Sequence, residues 1–128
     1  MSQERPKHGT FCWNELITTD TDKAGNFYST LLGWEKATMP GGMPYTLFKA
    51  DGKDAGGMMA RMPEMGDVPP HWMAYITVDD VDASAKQVEE LGGKVLCPPN
   101  DIPGVGRFTI IADPIGAAVG LITFPKDS

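Results

Sequence analysis

Phe11-Cys12-Trp13-Asn14-Glu15-Leu16-Ile17 and, about sixty residues on, His71-Trp72-Met73-Ala74-Tyr75-Ile76-Thr77 are two apolar-leaning stretches, each running into a Thr/Asp-rich turn. Both read as a strand that delivers the chain to a helix. Beyond Thr19-Asp20, the residues Ala24, Phe27, Tyr28, Leu31 and Leu32 recur at helical spacing, and beyond Asp79-Asp80 so do Val81, Ala85, Val88 and Leu91. An Asp or Thr ahead of each run offers a side-chain oxygen to the first unpaired N–H groups of the helix. Gly33 and Gly92-Gly93 stand where a left-handed residue commonly ends one.

The correspondence continues downstream. Tyr45-Thr46-Leu47-Phe48 answers Phe108-Thr109-Ile110-Ile111, and Ala50-Asp51-Gly52 answers Ala112-Asp113-Pro114-Ile115-Gly116, each as a hairpin. The closing strands are Ala55-Gly56-Gly57-Met58-Met59 and Ala118-Val119-Gly120-Leu121-Ile122, so Gly57 falls on Gly120. Each unit is βαβββ. Sixty residues bury too little surface to be secure alone, so the 128 residues are expected to form one domain of two modules, about 10–60 and 71–124, joined by a linker at 61–70. That linker, Arg61 to Pro70, is rich in proline and acidic residues and has no period. The stretches 39–44 and 98–106 occupy equivalent places and read as loops that rim a pocket.

A hydrophobic content of 41% is ordinary for a packed domain. The net charge of -6, with no basic run, argues against a nucleic-acid partner. No apolar stretch approaches the roughly 20 residues that span a bilayer, and residues 1–10 lack the apolar core of a signal peptide, so the expectation is a cytoplasmic protein with no membrane partner. Cys12 and Cys97 sit in apolar strands and read as reduced thiols rather than a disulfide framework.

Two βαβββ modules, Phe27-Tyr28 with Leu32-Gly33-Trp34 closing the first helix, and Asp113-Pro114-Ile115-Gly116 before the last strand together resemble the vicinal oxygen chelate superfamily. That superfamily includes glyoxalase I, bleomycin-resistance proteins and extradiol dioxygenases. The stretch Cys12-Trp13-Asn14-Glu15-Leu16, together with Phe27-Tyr28 and Gly33-Trp34, most resembles a glyoxalase-related bacterial branch. The resemblance implies an α+β fold in which tandem βαβββ modules form a curved eight-stranded mixed sheet with helices on the outer face. It also implies a small-molecule ligand and a homodimer as partners.

In the family a divalent metal is held by one residue from the first and one from the last strand of each module. Those positions fall here on Trp13, Gly57, Met73 and Gly120. None carries a hard oxygen or an imidazole, so no metal cofactor is expected. Shifting each strand by one residue does not restore a ligand set, and a two-residue shift recovers only Glu15 and His71. His71 follows Pro69-Pro70 and reads as a loop residue; His8 reads as part of a mobile tail.

Glycine within a strand marks close approach or a bulge. Gly57 and Gly120 are therefore expected either to leave room for the Trp13 indole or to mark bulges beside ordinary core. Residues two apart share a face, so Trp13 brings Glu15, Met73 brings Tyr75, and Gly57 brings Ala55 and Met59. Trp13, Glu15, Met59, Met73, Tyr75 and Phe108 are the expected ligand-binding residues. Arg107 and Phe108 compete for the inward position. Glu15 is the expected functional carboxylate, as an acceptor for a ligand hydroxyl or a lone general base, or else as a structural partner of Arg107, Tyr45 or Tyr75.

Three functions fit. The first is a metal-independent protein that binds an apolar or aromatic metabolite in a cup-shaped sheet. The second is a glyoxalase- or dioxygenase-like lyase or isomerase using a divalent metal or Glu15 as base. The third is an interaction module with a closed cavity.

Overall fold

The computed structural model describes residues 7–39, 45–63, 66–102 and 106–124. In chain order the elements are β1 (Phe11–Thr18), α1 (Thr21–Leu32), β2 (Glu35–Met39), β3 (Tyr45–Ala50), β4 (Lys53–Ala60), β5 (His71–Thr77), α2 (Val81–Glu90), β6 (Lys94–Ile102), β7 (Gly106–Ala112) and β8 (Ala118–Thr123). Over the described residues the chain is α+β, with eight strands of mixed direction and two helices.

By its internal contacts the chain divides into two compact units. One holds Asn14–Met73; the other holds Ala74 onward together with the chain up to Trp13. In the first unit the strands follow the order β2-β3-β4-β1. β1 runs parallel to β4, and the other pairs are antiparallel. In the second the order is β5-β8-β7-β6, with β5 parallel to β8 and the rest antiparallel. The crossover helix makes each parallel pair possible, since strands of the same direction cannot be joined by a tight turn. Within the second unit the chain before β1 pairs with the end of β5: Gly9 N–H donates to the Thr77 carbonyl at 2.7 Å and Thr77 N–H to the Thr10 carbonyl at 2.8 Å.

The helix bounds follow from capping chemistry. Asp20 accepts from the Lys23 N–H at the start of α1, and Gly33, at φ 74°, ends it in the left-handed region. Asp80 caps α2 through the N–H groups of Asp82 and Ala83. β3 and β4 are joined by Asp51-Gly52, both at positive φ (55° and 81°), the mirror-image turn whose twist matches a hairpin.

Each helix buries one side of its strands. α1 covers Leu16, Phe48 and Met58, with Ala24 and Tyr28 on the helix itself. Tyr28, Trp34, Phe48 and Trp72 form a ring cluster there, with Tyr28 and Trp72 centroids 5.3 Å apart and the Trp72 indole donating to the Tyr28 hydroxyl at 3.0 Å. The landmarks Tyr28 and Trp34 that carry the resemblance are thus structural. α2 covers Val78, Val81 and Leu121, with Ile76, Val88 and Ile111 packed against them.

Two expectations are corrected. Pro98 to Ile102 is no loop, because β6 continues through it with register breaks at Val95/Cys97 and Cys97/Asn100. Proline cannot donate to a ladder, but β6 ends its unit's strand order and is bulged, so those N–H positions are not required. His8 is not a loose tail: its Nδ1 accepts the Asp79 N–H at 2.9 Å beside the entry to α2. Of the stretches read as pocket rims and linker, residues 40–44, 103–105, and Glu64 and Met65 lie outside the described residues. The linker begins by extending β4, since Arg61 N–H donates to the Thr18 carbonyl at 2.9 Å.

The turn before β8 is closed by one carboxylate. Asp113 Oδ1 accepts from the N–H groups of Ile115, Gly116 and Ala117 at 2.9, 2.9 and 3.0 Å. These bonds, that of Ala117 foremost, hold its carboxyl below the usual carboxylate range. A lowered folded-state pKa gives stability that is full above the unfolded value of about 4 and is lost as pH falls through the folded value. Asp113→Asn is therefore expected to flatten the acid limb. In melts stepped from pH 6 downward, the wild type should lose melting temperature more steeply than the variant below about pH 4.

Candidate functional site

With one side of each strand set committed to a helix, the alternate residues define the other side. In the unit Asn14–Met73, β1 presents Glu15 and Ile17, β4 presents Gly57 and Met59, and β3 presents Tyr45 and Leu47. The register fixes neighbours: Glu15 lies across from Gly57, Ile17 from Met59, and Leu47 from Gly57 on the other side. Glu15 is 1% exposed, Ile17 0% and Met59 2%. A β-carbon built on Gly57 would overlap the ring and hydroxyl of Tyr45. The missing side chain is thus the space the Tyr45 phenol occupies.

The second unit repeats the device. Tyr75 on β5 is the direct partner of Gly120 on β8, and a β-carbon at Gly120 would overlap the Tyr75 ring. Tyr75 and Phe108 meet edge to face, centroids 6.3 Å apart and planes at 64°. Ile110 lies across from Gly120, and Phe108 and Thr77 both across from Ile122, so this face is apolar and aromatic apart from the Thr77 hydroxyl and the tip of Tyr75.

The structure resolves the choice between Arg107 and Phe108. Phe108 is fully buried. Arg107 is held outward by Asp82, which accepts from Nε at 2.9 Å and Nη2 at 3.1 Å, and by Asp101, which accepts from Nη1 at 3.1 Å. Those bonds raise the guanidinium pKa further and lower that of Asp82. Arg107 is therefore committed to these two aspartates.

Other expected residues fall less simply. Met73 is buried at 4% exposure and Trp13 is half-buried. The atoms nearest the two glycine positions belong to Tyr45 and Tyr75, not to the Trp13 indole, because Glu15 and Tyr75, one pleat beyond Trp13 and Met73, are the residues that pair with the glycines. Ala55 does not follow Gly57 and Met59. A register break at Phe48/Lys49 leaves it unpaired between Gly56 and Asp54, and it packs with the Leu16, Phe48 and Met58 cluster beneath α1. His71 opens β5, its Nδ1 2.8 Å from the Pro69 carbonyl. Tyr45 and Thr77 were not marked in the sequence as lining residues. Neither did the sequence reveal an open cleft of about 420 Å³ on the α1 side of the first unit, lined by Leu16, Ala24, Phe27, Tyr28 and Pro70, with Asp20 and Lys23 beside them.

A model described as the Glyoxalase/Bleomycin resistance protein/Dioxygenase superfamily matches residues 10–121. The chain is 41% identical over 116 residues to CFP32 of Mycobacterium tuberculosis, a protein named only provisionally as a glyoxylase, covering 89% of this chain and 44% of that one. It is 33% identical over 124 residues to the anthracycline biosynthesis protein DnrV of Streptomyces peucetius, covering 86% of this chain and 45% of that one. It therefore spans less than half the length of these relatives. Among solved structures, methylmalonyl-CoA epimerase of Mycobacterium tuberculosis superposes with a TM-score of 0.62 at 15% identity, covering 98% of this chain and 94% of that one. A variant of the Streptomyces coelicolor methylmalonyl-CoA epimerase in complex with 2-nitronate-propionyl-CoA gives 0.63 at 18%, covering 94% and 100%. At such identities the likeness concerns the fold.

Proposed function

We propose a binding function from one premise: the chain belongs to the Glyoxalase/Bleomycin resistance protein/Dioxygenase superfamily, matched over residues 10–121. Within that superfamily it holds a small apolar or aromatic molecule, without a metal, on the helix-free faces of its strands.

The observation that carries this reading is the pair of tyrosine rings lying over Gly57 and Gly120. A histidine or glutamate at either position would have to displace a buried phenol before it reached a metal. The first-strand positions supply an indole, which only donates, and a soft thioether. This donor set does not fit a hard divalent cation. What remains, on each unit taken by itself, is chemistry that suits an organic ligand: Met59 and Met73 with the Glu15 carboxylate and the Tyr45 phenol in the unit Asn14–Met73, and Tyr75 with Phe108 in the other. One relative is named for anthracycline biosynthesis, so fused-ring aromatics are sensible first ligands.

Glu15 supports a second reading. A carboxylate 1% exposed, held by at least one interaction, is an unusual residue to keep in a strand interior, and it is the group here able to take a proton from a bound ligand. As an enzyme, the chain would be a lyase or isomerase acting through Glu15.

Thermal-shift titration tests the binding reading. Purified protein is melted with Mg²⁺, Mn²⁺, Ni²⁺ or Zn²⁺, and separately with 1-naphthol and 1,4-naphthoquinone. An organic ligand at a hundred times its Kd adds about 2.7 kcal/mol of stability. The expected result is a rise with the aromatic compounds, none with the metals, and a shift at least halved in Trp13→Ala and Glu15→Ala. Stoichiometric metal retained through purification, or equal ligand shifts in wild type and both variants, would overturn it.

A further inference from the structure

We infer that the open cleft beside α1 is a second binding site, which takes an aromatic carboxylate with its rings against Phe27 and its anion at Lys23 and Thr18. It is separate from the helix-free faces, and its ligand is charged.

The cleft is a recess with room in it. It holds about 420 Å³, within the range of organic-ligand sites, and it belongs wholly to the unit Asn14–Met73. Leu16 and Thr18 of β1, 4% and 6% exposed, form its floor, and Ala24 and Phe27 of α1 and Pro70 stand around them. A flat patch for a protein partner would not reach residues buried this deeply. Helical spacing groups Phe27 with Ala24, Tyr28 and Leu31, yet it is 58% exposed and meets Tyr28 edge to face, centroids 5.0 Å apart. Its ring is thus held at the side of the recess with a face available to another ring.

The polar groups of the cleft are mainly donors. Lys23 is exposed, and among the described residues its ammonium has no hydrogen-bond or ion-pair partner, whereas Lys36 donates to Asn26 and Lys49 to Asp54. Thr18 Oγ1 accepts the Asp20 N–H at a long 3.4 Å, and among the described residues its own hydrogen goes to no acceptor. A hydroxyl more than nine-tenths buried with its hydrogen free is a donor without its acceptor. Asp20 brings the opposing charge, but its Oδ1 is engaged by the Lys23 N–H at 2.9 Å, capping the helix. An ammonium and a hydroxyl donor together suit a carboxylate, which only accepts. A neutral ligand with the same rings leaves the ammonium without a counter-charge.

The experiment compares 2-naphthoate with 2-naphthamide by isothermal titration calorimetry at low and high salt. Wild type is expected to prefer the carboxylate about fivefold at low salt and less at high salt. Lys23→Gln should abolish the preference and Lys23→Arg should keep it. Asp20→Asn retains the cap and removes the opposing charge, so it should tighten 2-naphthoate about twofold. Phe27→Ala should weaken both compounds about three- to tenfold. All three positions are exposed, so the variants are expected to fold. Equal affinity of wild type for the two compounds, no binding of 2-naphthoate, or affinity undiminished in both Lys23→Gln and Phe27→Ala overturns the inference. So does a dimer in sedimentation that Phe27→Ala dissociates while 2-naphthoate fails to bind, since the cleft then belongs to a second copy of the chain. None of these results touches the binding reading above, which is probed with 1-naphthol on the other faces.

Discussion

Gly57→Ala and Gly120→Ala should each lower stability by about 3 kcal/mol, on the order of 10 °C in melting temperature for a chain of this size. Ordinary strand energetics predict the opposite sign, since alanine in a strand interior is favoured over glycine by roughly 0.5–1 kcal/mol. Here the added methyl would land inside a buried ring, that of Tyr45 or Tyr75. The overlap involves ring carbons as well as the hydroxyl at Gly57, so Tyr45→Phe should not rescue Gly57→Ala, whereas Tyr45→Ala should. In double-mutant cycles the tyrosine and glycine changes should couple by about 2–3 kcal/mol, because the second substitution removes the clash made by the first. Additive losses would show that the rings do not depend on the glycines. The result bears directly on function: rebuilding a metal site by placing histidine at 57 or 120 would require clearing the tyrosine at the same time.

Much of the fold could be read from local chemistry. Asp20, Gly33 and Asp80 mark helix ends because capping needs only a few neighbouring atoms, and Asp51-Gly52 marks a hairpin for the same reason. What escaped reading depends on neighbours across the sheet. Pro98-Pro99 reads as a loop until β6 is known to be the last strand of its unit, where a missing N–H does no harm. At the site, two glycines in corresponding strands revealed that something approaches closely, but counting along β1 pointed to Trp13. The rings that do approach come from a diagonal neighbour on β3 and a direct partner on β5, and lateral register of that kind is set by turns and bulges rather than by alternation. The bulge opposite Ala55 shows the same limit, since one unpaired residue reverses which face a side chain takes.

Phe48→Ala and Phe108→Ala should each cost about 3–5 kcal/mol, since both rings are fully buried and truncation removes their packing and leaves a cavity. Losses of that size leave little folded protein to study, so the informative pair is Phe48→Leu and Phe108→Leu, each expected to cost roughly 1–2 kcal/mol and to remain folded. The two rings differ in what they face. Phe48 sits beneath α1 with Leu16 and Met58, whereas Phe108 stands on the opposite side of its strands, edge to face with Tyr75. If ligand binds the helix-free faces, the two leucine variants should melt alike, while 1-naphthol affinity falls only in Phe108→Leu. The fall should be about three- to tenfold, the range of an aromatic pairing worth about 0.5–1.5 kcal/mol. The comparison separates a binding face from a core face at matched stability, which an alanine at either site cannot do. Equal weakening by both variants would trace the loss to general loosening. Weakening by Phe48→Leu alone would move the ligand to the α1 side, where Leu16, Phe27 and Tyr28 line an open cleft.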